Sequence, residues 1–544
     1  MANPTTKRQK EPTVRRPKVR PAERAVGQRT AWERLSPRWQ HLICIGFLFL
    51  VTLAFFSAVH FGGRTLIGGD TVAWRGMAQA MYEYEEETGQ LALWSPNLFG
   101  GMPGYLIHYP KAVPQVDTVL GALRSAGWWP GAHFFFLLLG TYLLVFYLAR
   151  DALAATLSAV AYGLTTYVPL ILLAGHNTKF VAMAFAPWLV LAFVFALRRP
   201  VEAGWKRNLL GGLLFAIALA ANLRAGHVQI TYYVAFTLAI VWLVEGVGAV
   251  RDGQLKTFVW STLALALGSA LALLMVAQPL LVQWEYKAFT VRGASEGGGL
   301  AYDYAMQWSQ GLGELLTLLI PGAYGGDGQL YWGPKPFTAG PHYVGPIVIL
   351  LAVLGLYGVR RRIVTGLGLA GLLMTLFALG ENAAWLNRPM FEFFPLLNAF
   401  RVPETWLAAV ALVLAVLAGA GIYYADRREQ TPEAVARKTR AEYAALGVLG
   451  AVLLFVFVGH DALFSFERPG ELAQIRQAVA QQAGVGLDDP RVAQYADEYL
   501  AEVRAERADL LKGDTVRALV FLLLAGGLIV VHRRRKTFPG WALA

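Results

Sequence analysis

Apolar runs long enough to cross a bilayer recur along the chain, with polar residues confined to the gaps between them. Leu42–His60, Ala152–Ala174, Phe258–Leu281 and Trp406–Ala425 are each nearly free of charge. At roughly 1.5 Å per helical residue, each covers the roughly 30 Å of bilayer hydrocarbon. Further runs occur at His133–Ala149, Phe180–Leu197, Leu209–Leu223, Ile230–Val244, Val344–Val359, Ile363–Leu379, Tyr443–Val458 and Val516–Val531. The pattern predicts an all-α polytopic membrane protein with about twelve transmembrane helices. Two long gaps are predicted as loops, 62–132 and 282–343. A third polar stretch, 460–515, is rich in Ala, Glu, Arg and Gln and is predicted to be helical outside the membrane. In the first loop Ala73, Met77, Ala80, Met81 and Tyr84 recur at helical spacing, while Arg75, Gln79, Glu83, Glu86 and Glu87 occupy the other faces. That predicts an amphipathic helix along the interface.

Composition agrees: of 544 residues, 56% are hydrophobic and only 15% charged, too apolar for a soluble chain of this length. The formal net charge of +12 does not point to nucleic acid. Its lysines and arginines sit at the ends of apolar runs, and every predicted inward end carries them. Examples are Arg150, Arg198 and Arg199, Arg251 and Lys256, Arg360 to Arg362, Arg427 and Arg428, and Arg533 to Arg535. The basic block Lys7–Arg24 places the N-terminus in the cytoplasm. The localisation expected is the bacterial inner membrane, multi-pass. The organisation predicted is a basic disordered cytoplasmic tail (1–41), a transmembrane module (42–459), an outer helical segment (460–515) and a last transmembrane helix with a basic cytoplasmic end (516–544). The final residues Phe538–Ala544 read as the opening of a further helix, as in a truncated longer protein. The single cysteine, Cys44, lies in the first apolar run and carries no redox information.

Candidate chemistry gathers in the gaps assigned to the outer side. Asp70, in Gly68-Gly69-Asp70, precedes the amphipathic helix. A carboxylate just above the bilayer suits a general base or a ligand of a divalent cation such as Mg or Mn, and the position also suits a helix N-cap. Trp94-Ser95-Pro96 and Phe99–Pro103 form a Gly/Pro-rich aromatic turn that ends at Tyr109-Pro110. The other outer gaps hold Gly175-His176-Asn177-Thr178-Lys179, Arg224 with His227, Arg292, the Tyr302-Asp303-Tyr304 cluster with Trp308, and Phe400-Arg401-Val402-Pro403-Glu404. Lys179, Arg224, Arg292 and Arg401 are cations where the positive-inside rule expects few. A converging set of them would bind a phosphate head group; singly, each also fits loop solvation or helix capping. His176 and His227 lack the spacing of a zinc pair. Trp94, Tyr109 and Trp308 could face a sugar or belong to an interfacial aromatic belt.

These motifs, taken in order, resemble the YfhO-like bacterial membrane proteins. The resemblance rests on Gly69-Asp70, Trp94-Ser95-Pro96, Phe99–Pro103, Tyr109-Pro110, Gly175–Lys179, Gly226–Tyr233, Arg292-Gly293, Tyr302-Asp303-Tyr304, Trp308-Ser309 and Phe400–Pro403. That family is similar to the GT-C glycosyltransferases. The resemblance implies transfer of a sugar from a polyprenyl-phosphate donor to an envelope glycan or lipid acceptor on the outer face. Asp70 would be the essential first-loop acid. His176, Lys179, Arg224, His227, Arg292 and Arg401 would bind the donor phosphate, and Trp94, Tyr109, Asp303, Tyr304 and Trp308 would line the substrate. Membrane lipids are the only other partners expected, with no nucleic acid. Competing readings are a lipid-linked sugar flippase or transporter, which would place ionisable groups at mid-membrane, and a non-catalytic envelope assembly protein.

Overall fold

Every apolar run predicted to span the bilayer is helical. The computed structural model describes residues 31–107, 114–125, 128–197, 204–290, 293, 299–326, 328–337, 340–427, 429 and 431–534. Among these, nine helices are long and apolar enough to cross a membrane, ten if one bent pair counts as a span. The other two predicted segments are Trp205–Arg224, which carries Lys206 and Arg207 at its start, and the short helix Pro346–Gly358. The only strands among the described residues are Trp94–Ser95 and Met102–Pro103, paired antiparallel.

Burial separates the helices into a core and a rim. Asn177–Leu197 and Pro403–Asp426 are 83% and 89% buried over their apolar windows and form the centre of the bundle. Pro37–Phe55 and Pro432–Leu463 are each only 17% buried, although both are apolar enough to cross a membrane. Leu42, Phe47, Leu50, Leu454, Phe455 and Val458 therefore stand exposed. Water would penalise such a surface, whereas hydrocarbon accepts it. The chain is a multi-pass membrane protein whose rim helices present their apolar side chains to lipid.

Two spans are broken inside a run of apolar residues that predicts continuity, and a third turns sharply where its run ends. Ala152–Ala174 divides into Ala152–Gly163 and Tyr167–Ala174. At the break, Thr166 Oγ1 donates to the Pro341 carbonyl and accepts from the Tyr343 N–H at 2.9 Å, so the second long loop is pinned into the bundle. Phe258–Leu281 divides into Leu255–Met275 and Ala277–Tyr286, the latter opening with Pro279. The proline ring clashes with the carbonyl four residues earlier and has no N–H to donate, so the helical ladder is interrupted there. Arg362–Ala378 turns through 117° into Gly380–Phe393 at Gly380, where φ is +50°.

The polar stretch near the C-terminus is not a separate block. It consists of Glu471–Ala483 and the first half of one 45-residue helix, Pro490–Arg534, which runs through residue 515 into the last span. Arg507 fixes this element to the rest. Its guanidinium is fully buried and donates to the carbonyls of Leu330 (2.9 Å) and Phe466 (2.8 Å) and to both carboxylate oxygens of Glu471 (2.8 and 2.7 Å). Arg507→Ala strands the Glu471 carboxylate and two buried carbonyls. The expected cost is about 3–5 kcal/mol, read as a lower Tm of the detergent-solubilised protein.

Candidate functional site

The site begins with two glycine backbones in contact. Gly175 closes the Tyr167–Ala174 helix in the left-handed region (φ +89°), and the N–H of His176 reaches back to the Ile171 carbonyl at 2.8 Å. Gly68 caps the helix Gly69–Thr88. A Cβ on Gly68 would lie 2.3 Å from the Gly175 nitrogen, so no other residue fits there. The approach brings the neighbouring side chains face to face. His176 Nε2 and Asp70 Oδ2 are 3.0 Å apart, and Asn177 Nδ2 donates to Thr71 Oγ1 at 2.9 Å beside them.

Asp70 is therefore not the N-cap; that place belongs to Gly68, and Asp70 sits in the first helical turn. The helix dipole favours a carboxylate there. With its cap role taken by Gly68, the carboxylate is turned to His176. Its side chain remains 67% exposed, which leaves an oxygen open to a substrate.

Two cations stand close enough to act on this pair. Lys179 is two residues beyond Asn177, is buried, and donates Nζ to the Tyr167 hydroxyl at 3.2 Å. Arg401 donates to the Tyr304 hydroxyl and lies over the rings of Tyr304 (5.4 Å) and Trp308 (5.8 Å). Its carbonyl accepts from Gln229 Nε2 at 2.7 Å. The following residue, Val402, is held at φ +64°, a costly conformation for a β-branched residue. The turn is kept by the Val402 N–H donating to the Ala305 carbonyl at 3.1 Å. Burial, the largest cause, pulls the His176 pKa below its usual value; Lys179 and Arg401 pull the same way and Asp70 pulls against them. At neutral pH His176 is thus an uncharged imidazole that donates its Nε2 proton to Asp70.

The remaining predicted residues scatter. Arg224 is paired with the buried Asp117 at 2.9 Å, away from the Asp70 pairing. His227 opens the helix Val228–Arg251, one residue after Gly226, whose turn packs beside Thr178. Trp94 lies on the small hairpin with its indole over Gly101, and Ser95 and Asn97 fasten that hairpin to the amphipathic helix through the carbonyls of Met77 and Gly76. Asp303 is exposed on the short helix Tyr302–Ala305. Tyr109 and Arg292 lie outside the described residues. The cluster that comes together is Asp70, His176, Lys179 and Arg401, flanked by Tyr304 and Trp308.

Behind it is a buried network that sequence reasoning missed. Lys335 Nζ sits 2.7 Å from Glu404 Oε2 and 3.4 Å from Glu314 Oε1, and donates to Gln310 Oε1 at 3.1 Å. Tyr331 donates to Glu314 at 2.7 Å. His342 lies 3.8 Å from Glu404 and stacks on Tyr167, the tyrosine that holds Lys179. The available signal was Lys335 itself, a lone cation within the aromatic and proline-rich run Tyr331–Phe337. Burial lowers the His342 pKa below 6.5, more than Glu404 raises it. Below pH 6.5 the unfolded chain therefore binds a proton that the folded chain refuses, and stability falls with pH. We expect the Tm to drop on acidification below that pH, and His342→Gln to flatten the drop.

As a metal centre the site is incomplete. It offers one carboxylate and one imidazole, and among the described residues no group of three His, Cys, Asp or Glu could share an ion. A divalent ion held by a single carboxylate would complete its shell with waters and substrate phosphate oxygens, and an ionised carboxylate can equally accept a proton.

The fold and site thus define an all-helical, multi-pass membrane protein with a carboxylate–imidazole pair and two cations at one end. No family model and no curated protein matches the chain. Among solved structures it is similar to ArnT from Cupriavidus metallidurans. For ArnT bound to undecaprenyl phosphate the identity is 14%, with 94% of this chain and 77% of that chain covered and a TM-score of 0.40. For apo ArnT the identity is 13%, the coverage is 94% and 77%, and the TM-score is 0.39.

Proposed function

We propose that the chain is a GT-C-type membrane glycosyltransferase of the YfhO-like kind. It moves a sugar from a polyprenyl-phosphate carrier to a cell-envelope acceptor on the outer face of the bacterial inner membrane. The observation that carries this reading is the meeting of Asp70 with His176, two cations beside them, at the bundle end opposite the arginine-rich helix ends.

In the proposed reaction an acceptor hydroxyl oxygen attacks the anomeric carbon of the bound sugar. The bond from that carbon to the phosphate oxygen breaks, and the phosphate leaves with the electron pair on its carrier lipid. Asp70 takes the hydroxyl proton, and Lys179 and Arg401 balance the charge of the leaving phosphate. Neutral His176 keeps the carboxylate aimed without charging it. Tyr304 and Trp308 hold the Arg401 guanidinium and offer faces for the sugar. The described helix centres of the core spans carry no unpaired charge pathway, which favours interfacial chemistry over transport.

Comparing envelope glycans by mass spectrometry with and without the protein tests this. Loss of one glycan modification supports transfer; unchanged glycans with altered movement of lipid-linked sugar across the bilayer would make the chain a carrier instead. Arg401→Gln should lower kcat/KM for the donor by about ten- to a hundredfold, the worth of one charged hydrogen bond. An unchanged value would remove Arg401 from donor binding.

A further inference from the structure

A wide cavity lies at the opposite end of the bundle from Asp70. It encloses ≈ 900 Å³ and is lined by Arg150, Arg207, Arg361 and Arg362, with Glu245 the one carboxylate on its wall. The helices that carry His176 and Asn177 at one end reach this cavity at the other, with Arg150 before Ala152 and Leu197 closing the Asn177–Leu197 helix.

The arginines are held in place, and among the described residues three of them make no ion pair. Arg150 ends the Gly131–Ala149 helix in the left-handed region, with its guanidinium 5.5 Å from the Tyr147 ring centre. Arg207 lies 3.3 Å over the Phe195 ring. Arg361 donates to the Leu148 carbonyl at 2.7 Å and lies over Tyr423. Arg362 alone is ion-paired, with Asp252 at 2.6 Å. Among the described residues no carboxylate pairs with Arg150, Arg207 or Arg361. Aromatic faces and a carbonyl orient these guanidiniums without neutralising them. The rest of the wall is mixed: Leu148, Phe195, Leu197, Ala249 and Phe258 supply apolar surface beside Gln254 and Thr257.

Fixed guanidiniums beside apolar surface, at the depth where membrane helices end, match an amphipathic anion. We propose that this cavity binds the phosphodiester head group of an anionic phospholipid, with Arg150, Arg207 and Arg361 on the phosphate and the first acyl carbons against Leu197 and Phe258. The arginine-rich ends put the site in the cytoplasmic leaflet. The lipid would brace the helices that carry Lys179 and His176 from the side away from the reaction.

Native mass spectrometry of the full chain in detergent, titrated with phosphatidylglycerol or phosphatidylcholine, tests this. The expected result is a retained phosphatidylglycerol adduct and a raised Tm, neither given by phosphatidylcholine. R150Q/R207Q should weaken the adduct by roughly fivefold or more per arginine, with unchanged helical circular dichroism in phosphatidylcholine. R207Q alone provides the same readout should the double variant fail to fold. Equal adducts from both lipids, or phosphatidylglycerol adducts unchanged by R207Q, would overturn the proposal. An equal Tm rise with soluble glycerol phosphate would overturn the assignment to a lipid.

Discussion

Asp70→Asn is expected to lower sugar transfer by roughly 10²–10⁴-fold, the usual contribution of one general base, while leaving the protein folded and in the membrane. The substitution keeps size and hydrogen-bonding shape and removes only the ability to take a proton. Asp70 is exposed and carries no capping bond, since Gly68 fills the cap, so little stability depends on its charge. The His176 proton still finds an amide oxygen at the same place. Matched Tm values and a lost glycan product would separate chemistry from folding; full activity would remove Asp70 from the mechanism. His176→Ala should cost less in rate and shift the pH profile, because His176 positions the carboxylate and touches no reacting atom.

Lys335→Met is expected to be the most destabilising single change near the site. Lys335 and Glu314 are nearly inaccessible, and Glu404 is only slightly less so. Removing the cation leaves two buried carboxylates facing each other, and the loss of one partner of a buried pair already costs about 3–5 kcal/mol. The loop from Gln310 to His342 would loosen together with the start of the Pro403–Asp426 helix. Glu404 is three residues from Arg401, so the damage should reach donor binding as well as Tm. Adding Glu404→Gln to Lys335→Met should recover part of the lost stability, because one of the stranded charges is then gone. A Tm unchanged by Lys335→Met would show the network to be dispensable.

The membrane architecture was legible because the length of an apolar run is a local property. The twelve runs needed only 1.5 Å per residue and the bilayer thickness to be recognised. The breaks were less visible. Pro279 is a local signal and could have been read, but the break at Thr166 is bonded to Pro341, far away in sequence, which no local pattern reveals. The continuous helix Pro490–Arg534 escaped because its first half is polar and its second apolar, so composition changes where the backbone does not.

The candidate site was legible as residue types and not as partners. Asp70, His176, Lys179 and Arg401 stand out as polar residues in the outer gaps, yet nothing local says that Gly68 touches Gly175. Arg224 had the same credentials as Arg401; the difference is Asp117, 107 positions earlier, which pairs with it. Lys335 was passed over because a lone lysine in a long loop usually meets water, and this one meets Glu314 and Glu404.

The central claim is that this end of the bundle breaks the bond between a sugar and its lipid phosphate. Its most direct test is turnover of a synthetic polyprenyl-phosphate sugar by the purified protein in proteoliposomes containing envelope acceptor, with wild-type and D70N protein side by side. The account predicts free polyprenyl phosphate in step with glycosylated acceptor from the wild type and neither from D70N. Intact donor carried across the bilayer without bond cleavage, or equal release by both proteins, would contradict it.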